Sequence, residues 1–120
     1  MFLLLLLFLQ TGLNSAIPFQ FREARMHIAE FQEMMKKLYL HRDSDRGVKG
    51  TYSWLTDEVE ELGEALEGTD KEATEREFAD VIAWLSSLAN LLNIDLEKAA
   101  LNKYPHLCPK CLHSPCQCTF

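Results

Sequence analysis

Between Met26 and Leu92 the apolar residues recur at steps of three and four, and no stretch shows strand-type alternation, so the chain must pack helices rather than pair strands. Ile28, Phe31, Met35 and Leu38 form the stripe of a first amphipathic helix, expected to end near His41. The segment 42–50, with Asp43, Ser44, Asp45, Gly47 and Gly50, lacks apolar periodicity and reads as a polar loop. A second stripe, Leu55, Val59, Leu62 and Leu66, marks the next helix, which Gly68 is expected to terminate while Asp70 caps its successor. So short a linker folds the two helices into an antiparallel hairpin. A third helix is expected from about Lys71 to Leu92, and a short fourth from near Asp95, fading before Pro105. The fold class is all-α, an antiparallel helical bundle.

The chain has 120 residues, 48% hydrophobic and 25% charged, enough for one small domain. A bundle of this size often gains stability from oligomerisation or a bound metal. Its net charge of −6, with no Lys/Arg block interleaved with aromatics, argues against a nucleic-acid partner. An acidic protein can still bind small phosphates through a divalent cation, which makes the placement of its acids decisive.

On a helical wheel Glu60, Glu64 and Glu67 fall opposite the leucine stripe and read as a solvated face. Glu58 and Glu61 instead share a sector with Trp54 and Ala65, at the edge of the packed surface. On the third helix Phe78, Ile82, Leu85, Ala89 and Leu92 form one complete apolar face, while a second holds Glu77, Asp80, Trp84, Leu88 and Leu91. Converging carboxylates in an apolar setting repel one another and need a partner. A divalent cation supplies it, and oxygen ligands without His or Cys alongside favour Mg²⁺ or Mn²⁺ over zinc or copper. The plainer alternative is a solvated groove, or ordinary ion pairs with Lys36, Lys37, Arg42 or Arg46.

The run LTDEVEELGEAL, preceded by DSDRGVKGTYSWL and followed by EREFADVIAWLSSLANLLNIDLEKA, resembles the MazG-like, all-α nucleoside triphosphate pyrophosphohydrolases from about Met26 to Lys103. Their pattern, ExxE then ExxD, falls on Glu58 and Glu61, then Glu77 and Asp80, the four acids the wheel singles out. The resemblance implies that these acids hold Mg²⁺, that the bundle completes its site as a homodimer or homotetramer, and that Asn102 and Lys103 reach nucleotide phosphates. One departure is Glu60, where many relatives carry a small residue. The implied reaction is hydrolysis of a nucleoside triphosphate to monophosphate and pyrophosphate, a housekeeping of nucleotide pools, by metal-assisted attack of water at phosphorus. Glu61 is expected to act as base or to position the water, because it lies farther from the leucine stripe than Glu58. Trp54 could stack on a base, the alternative for Trp54 and Trp84 being core packing. Arg46 and Lys49 could reach phosphates or simply be solvated.

Two rivals are weaker. A di-iron bundle should show Glu-x-x-His, and no histidine stands three residues after Glu58 or Glu77. A non-catalytic interaction protein with a zinc-binding tail would gain stability by replacing its acids with apolar residues.

All four cysteines lie in CPKCLHSPCQC, a CxxC pair followed by CxC, after the helical core. Cys108, Cys111, Cys116 and Cys118 suit a structural Zn²⁺ in a zinc-knuckle-like tail, with His106 or His113 as possible replacements for one thiolate. Disulfides, in an oxidising compartment, and free redox-active thiols are the alternatives. Residues 1–25 carry an apolar run from Phe2 to Leu9, about half of the roughly 20 residues a membrane span needs. They read as a dispensable extension ahead of Met26, a cleaved signal, or an anchor or added helix; no basic residue precedes the run, which weakens the signal reading. The helical domain is then 26–104 and the Cys-rich tail 105–120. Zinc and nucleotide hydrolysis both favour the cytoplasm, with no stable membrane insertion.

Overall fold

The computed structural model describes residues 25–119. It contains three helices, α1 (Ile28–Leu66), α2 (Lys71–Leu91) and α3 (Leu96–Lys103), and no strand among the described residues. The readings of residues 1–25 as extension, signal or anchor fall almost wholly outside them. No helix among the described residues is long and apolar enough to cross a membrane.

The expected polar loop at 42–50 shrinks to a break at one residue, Gly47, where two helical segments meet at a kink. α1 runs on through it, and only Gly47, at φ 80° and ψ 175°, leaves helical geometry and kinks the rod. That backbone region is essentially reserved for glycine. The segment escaped notice because its inward side is polar: Asp43 is 2% exposed and Thr51 is fully buried, so no apolar stripe marks the helix. Arg46 supports it locally, donating from Nη1 to Asp43 Oδ1 one turn away at 2.9 Å.

The helix ends follow local chemistry. Gly68 does not adopt the left-handed conformation expected of a terminating glycine; α1 closes instead with Glu67 N–H donating to the Glu64 carbonyl and Gly68 N–H to that of Ala65. Asp70 caps α2 as expected, accepting from Ala73 N–H at 3.1 Å. At the far end Asn93, at φ 52°, takes the left-handed position, with Ile94 N–H reaching back to the Ala89 carbonyl and Asn93 N–H to that of Asn90. Asp95 then caps α3 through Lys98 N–H.

Three cross-links give the direction of the hairpin: Thr74 Oγ1 to the Ala65 carbonyl beside the turn, Trp84 to Glu58 midway, and Gln32 to Asn90 at the open end. α1 and α2 are therefore antiparallel. Gln32 ties the open end together, donating from Nε2 to Asn90 Oδ1 and the Ile94 carbonyl and accepting from Leu96 N–H, which fixes α3 against α1.

The interior differs from expectation. Met35 and Ala89 are the buried apolar residues, while Asp43, Thr51, Ser86 and Ser87 are buried polar ones. On α2 the apolar face read as complete, Phe78, Ile82, Leu85 and Leu92, is exposed apart from Ala89. The face packed within the chain is the acid-bearing one, with Glu77, Trp84, Leu88 and Leu91 half-buried.

Candidate active site

Glu58 comes from the second half of α1, and Glu77 and Asp80 from successive turns of α2. Because the hairpin is antiparallel and tightly closed at Asp70, these positions meet across the seam, and one carboxylate oxygen from each lies within 4.8 Å of the others. Glu58 Oε1 accepts a hydrogen bond from Trp84 Nε1–H at 3.1 Å. Glu58 Oε2 and Glu77 Oε2 are buried with no hydrogen-bond partner. An acceptor denied both water and donor is costly, which requires a reason for its position.

The electrostatics agree. Burial raises the pKa of Glu58 above the ordinary carboxylate range, assisted by the neighbouring carboxylates of Glu61 and Asp80, with the Trp84 bond opposing. Burial likewise raises Glu77, with the charges of Glu61 and Asp80 adding and Arg76 partly offsetting. Negative charge is thus concentrated without matching positive charge. Three carboxylates converging on one point suit a small divalent cation with oxygen ligands. Glu61 is exposed, yet close enough to act on both half-buried acids.

Next to the acids opens a cleft of about 250 Å³ lined by Tyr39, Arg42, Asp43, Arg46, Asp80 and Trp84, among others. Trp54 and Trp84 stack with ring centroids 5.5 Å apart and planes 9° from parallel. The Arg46 guanidinium lies 4.6 Å from the Trp84 ring centroid, so Asp43 and Trp84 together fix its direction. Trp54 remains 49% exposed despite the stack, so packing does not consume its surface.

Asp43 is the residue the sequence reading passed over. It lines the cleft, is 2% exposed, and has one oxygen, Oδ2, without a partner. The available signal was the Asp-x-x-Arg spacing of Asp43 and Arg46, which only a helix brings together. Asn102 and Lys103, by contrast, are exposed at the end of α3, which attaches at the open end of the hairpin beside Gln32; they do not line the cleft of their own chain. Lys103 Nζ lies 5.7 Å from the ring centroid of Tyr104. The four cysteines gather into one separate cluster.

A family model of the MazG nucleotide pyrophosphohydrolase domain matches residues 46–112. The match starts well after Met26, takes in all four acids, and ends inside the tail, leaving Cys116 and Cys118 beyond it. No curated protein matches the chain significantly. The matched family is typically metal-dependent, in keeping with carboxylates that lack a partner. Since the match spans more than half of the chain and contains the whole acidic cluster, this protein belongs to the MazG nucleotide pyrophosphohydrolase family.

Proposed function

We propose that the protein hydrolyses nucleoside triphosphates to monophosphate and pyrophosphate with Mg²⁺ held by Glu58, Glu61, Glu77 and Asp80, serving nucleotide-pool housekeeping in the cytoplasm. The observation that carries this is the pair of buried, unpartnered oxygens on Glu58 and Glu77 with Asp80 beside them. In a family of nucleotide pyrophosphohydrolases, such a cluster suits a cation that also binds a triphosphate.

Bound Mg²⁺ supplies charge screening and polarises the phosphorus under attack. The chain's own groups do the rest. Glu61, solvent-accessible and near Glu58 and Glu77, receives the proton of the attacking water. Arg46, held in direction by Asp43 and Trp84, draws phosphate oxygens into the cleft. Trp54, braced by Trp84, offers its exposed surface to the base. The phosphate contacts of Asn102 and Lys103 come, in this reading, from a second copy within a homodimer or homotetramer, which the exposed apolar face of α2 supports.

The test is incubation of the full chain with Mg²⁺ and a panel of nucleoside triphosphates, followed by identification of the phosphorus products. Monophosphate and pyrophosphate, lost on adding EDTA and in Glu61→Gln, are expected. Release of orthophosphate, or no turnover by well-folded protein, overturns the reading.

A further inference from the structure

Outside the acidic site, Cys108, Cys111, Cys116 and Cys118 bring their four sulfurs within 4.8 Å of one another. Cys108 and Cys118 stand 3.8 Å apart, and Cys111 and Cys116 3.9 Å. Those separations are nearly twice the roughly 2.05 Å of a disulfide. They equal the edge of a sulfur tetrahedron around zinc, about 3.8 Å for a Zn–S distance of about 2.3 Å.

The backbone is arranged around the sulfurs. Leu112, at φ 60°, closes a turn in which its own N–H donates to the Cys108 carbonyl and Cys108 N–H donates to the His113 carbonyl. Gln117 N–H points at Cys111 Sγ at 3.3 Å, and Cys118 N–H at Cys116 Sγ at 3.4 Å. Amide donors aimed at sulfur favour thiolate, the form that binds metal. The ligating atoms that converge are the four sulfurs, with neither His106 nor His113 in the group.

We infer that residues 108–118 form a closed, structural Zn²⁺ site. Four protein ligands leave no position for water or substrate, so the metal folds the tail and takes no part in catalysis. The tail needs such a staple: beyond Lys103 it has no helix or strand, and its half-buried side chains are Cys108, Cys111 and Cys118 themselves. Tetrahedral sulfur also accommodates iron. The redox-inert ion fits better where Cys116 is open to solvent and oxidant. The site is independent of the nucleotide chemistry, and Cys116 and Cys118 lie beyond the matched family region.

The experiment is metal analysis of the full chain purified under reducing conditions, with the thiols titrated before and after chelation. One zinc per chain that survives dialysis is expected, with the four thiols unreactive until a chelator removes it. Cys116→Ser and Cys118→Ser should lose the zinc, while His106→Ala and His113→Ala keep it. Should the cysteine variants fail to fold, Co²⁺ added to metal-stripped wild type gives a second readout, the absorption of a tetrahedral four-thiolate complex. Four freely reactive thiols in folded, metal-free protein, bound iron in place of zinc, or loss of zinc on replacing either histidine overturns the assignment. None of these readouts depends on nucleotide turnover.

Discussion

At the scale of single residues the acids of the cleft are poised against the stability of the chain that carries them. Burial, reinforced by Glu61 and Asp80, raises Glu58 and Glu77 above their ordinary value of 4.5. Between that value and the raised one the folded chain binds more protons than the unfolded chain, so metal-free stability falls as pH rises through the window. Mg²⁺ reverses the sign by displacing those protons. In EDTA at neutral pH, Glu58→Gln should therefore melt higher than wild type, because the amide oxygen still accepts from Trp84 while the uncompensated charge is gone. In Mg²⁺ the order should invert, since only wild type gains from the ion. Thermal melts at pH 5 and 7, with and without Mg²⁺, test this; a lower melting point for the variant in EDTA would show that the carboxylate is stabilised by something other than a cation. Glu61 is exposed, so Glu61→Gln should leave the fold intact and lower kcat about 10²- to 10⁴-fold. Single-turnover rates at saturating nucleotide measure the loss, and near-wild-type turnover would remove Glu61 from the chemistry.

At the scale of the elements the kink in α1 sets where the cleft opens. Gly47 separates the turn bearing Asp43 and Arg46 from the stretch bearing Trp54 and Glu58, and its φ of 80° with ψ of 175° is a glycine conformation. Gly47→Ala meets no steric obstacle to its added methyl, so its effect isolates backbone strain, about 1–3 kcal/mol. Urea denaturation should show that loss, together with weaker nucleotide binding as Arg46 shifts; unchanged stability would mean that the kink relaxes freely. This same segment marks the limit of what the sequence reveals. The α2 and α3 caps at Asp70 and Asp95 are legible because a carboxylate at a helix start has one local use. The break at Gly47 is legible from its glycine, but the helical turns on either side of it are not, since hydropathy registers apolar faces and here Asp43 and Thr51 face inward. On α2 the wheel isolates Glu77 and Asp80 and shows two faces, but it does not say which one packs within the chain: an apolar face awaiting another surface has the same periodicity as one already buried.

At the scale of the whole molecule that unassigned face becomes a statement about assembly. Phe78 is 57% exposed, Ile82 42% and Leu85 41%, on the side of α2 turned away from α1, while buried apolar residues in the hairpin amount to Met35 and Ala89. Among the described residues α2 thus displays a stripe of apolar side chains of the kind that a second copy covers in the proposed homodimer or homotetramer. The stripe adjoins Glu77 and Asp80 in sequence, so a partner seated there would also shield the acids from water and strengthen their hold on a cation. Assembly and activity should consequently fail together. We expect wild type to run as a dimer or tetramer in light scattering, and Phe78→Glu combined with Leu85→Glu to yield a monomer that keeps its helical circular dichroism, since neither side chain supports the hairpin from within. That monomer retains Glu58, Glu61, Glu77 and Asp80 but should turn over nucleotide at least about tenfold more slowly, one lost contribution of about 1.4 kcal/mol to the barrier. A monomeric wild type, or a monomeric variant with undiminished turnover, would show instead that one hairpin suffices to build the site.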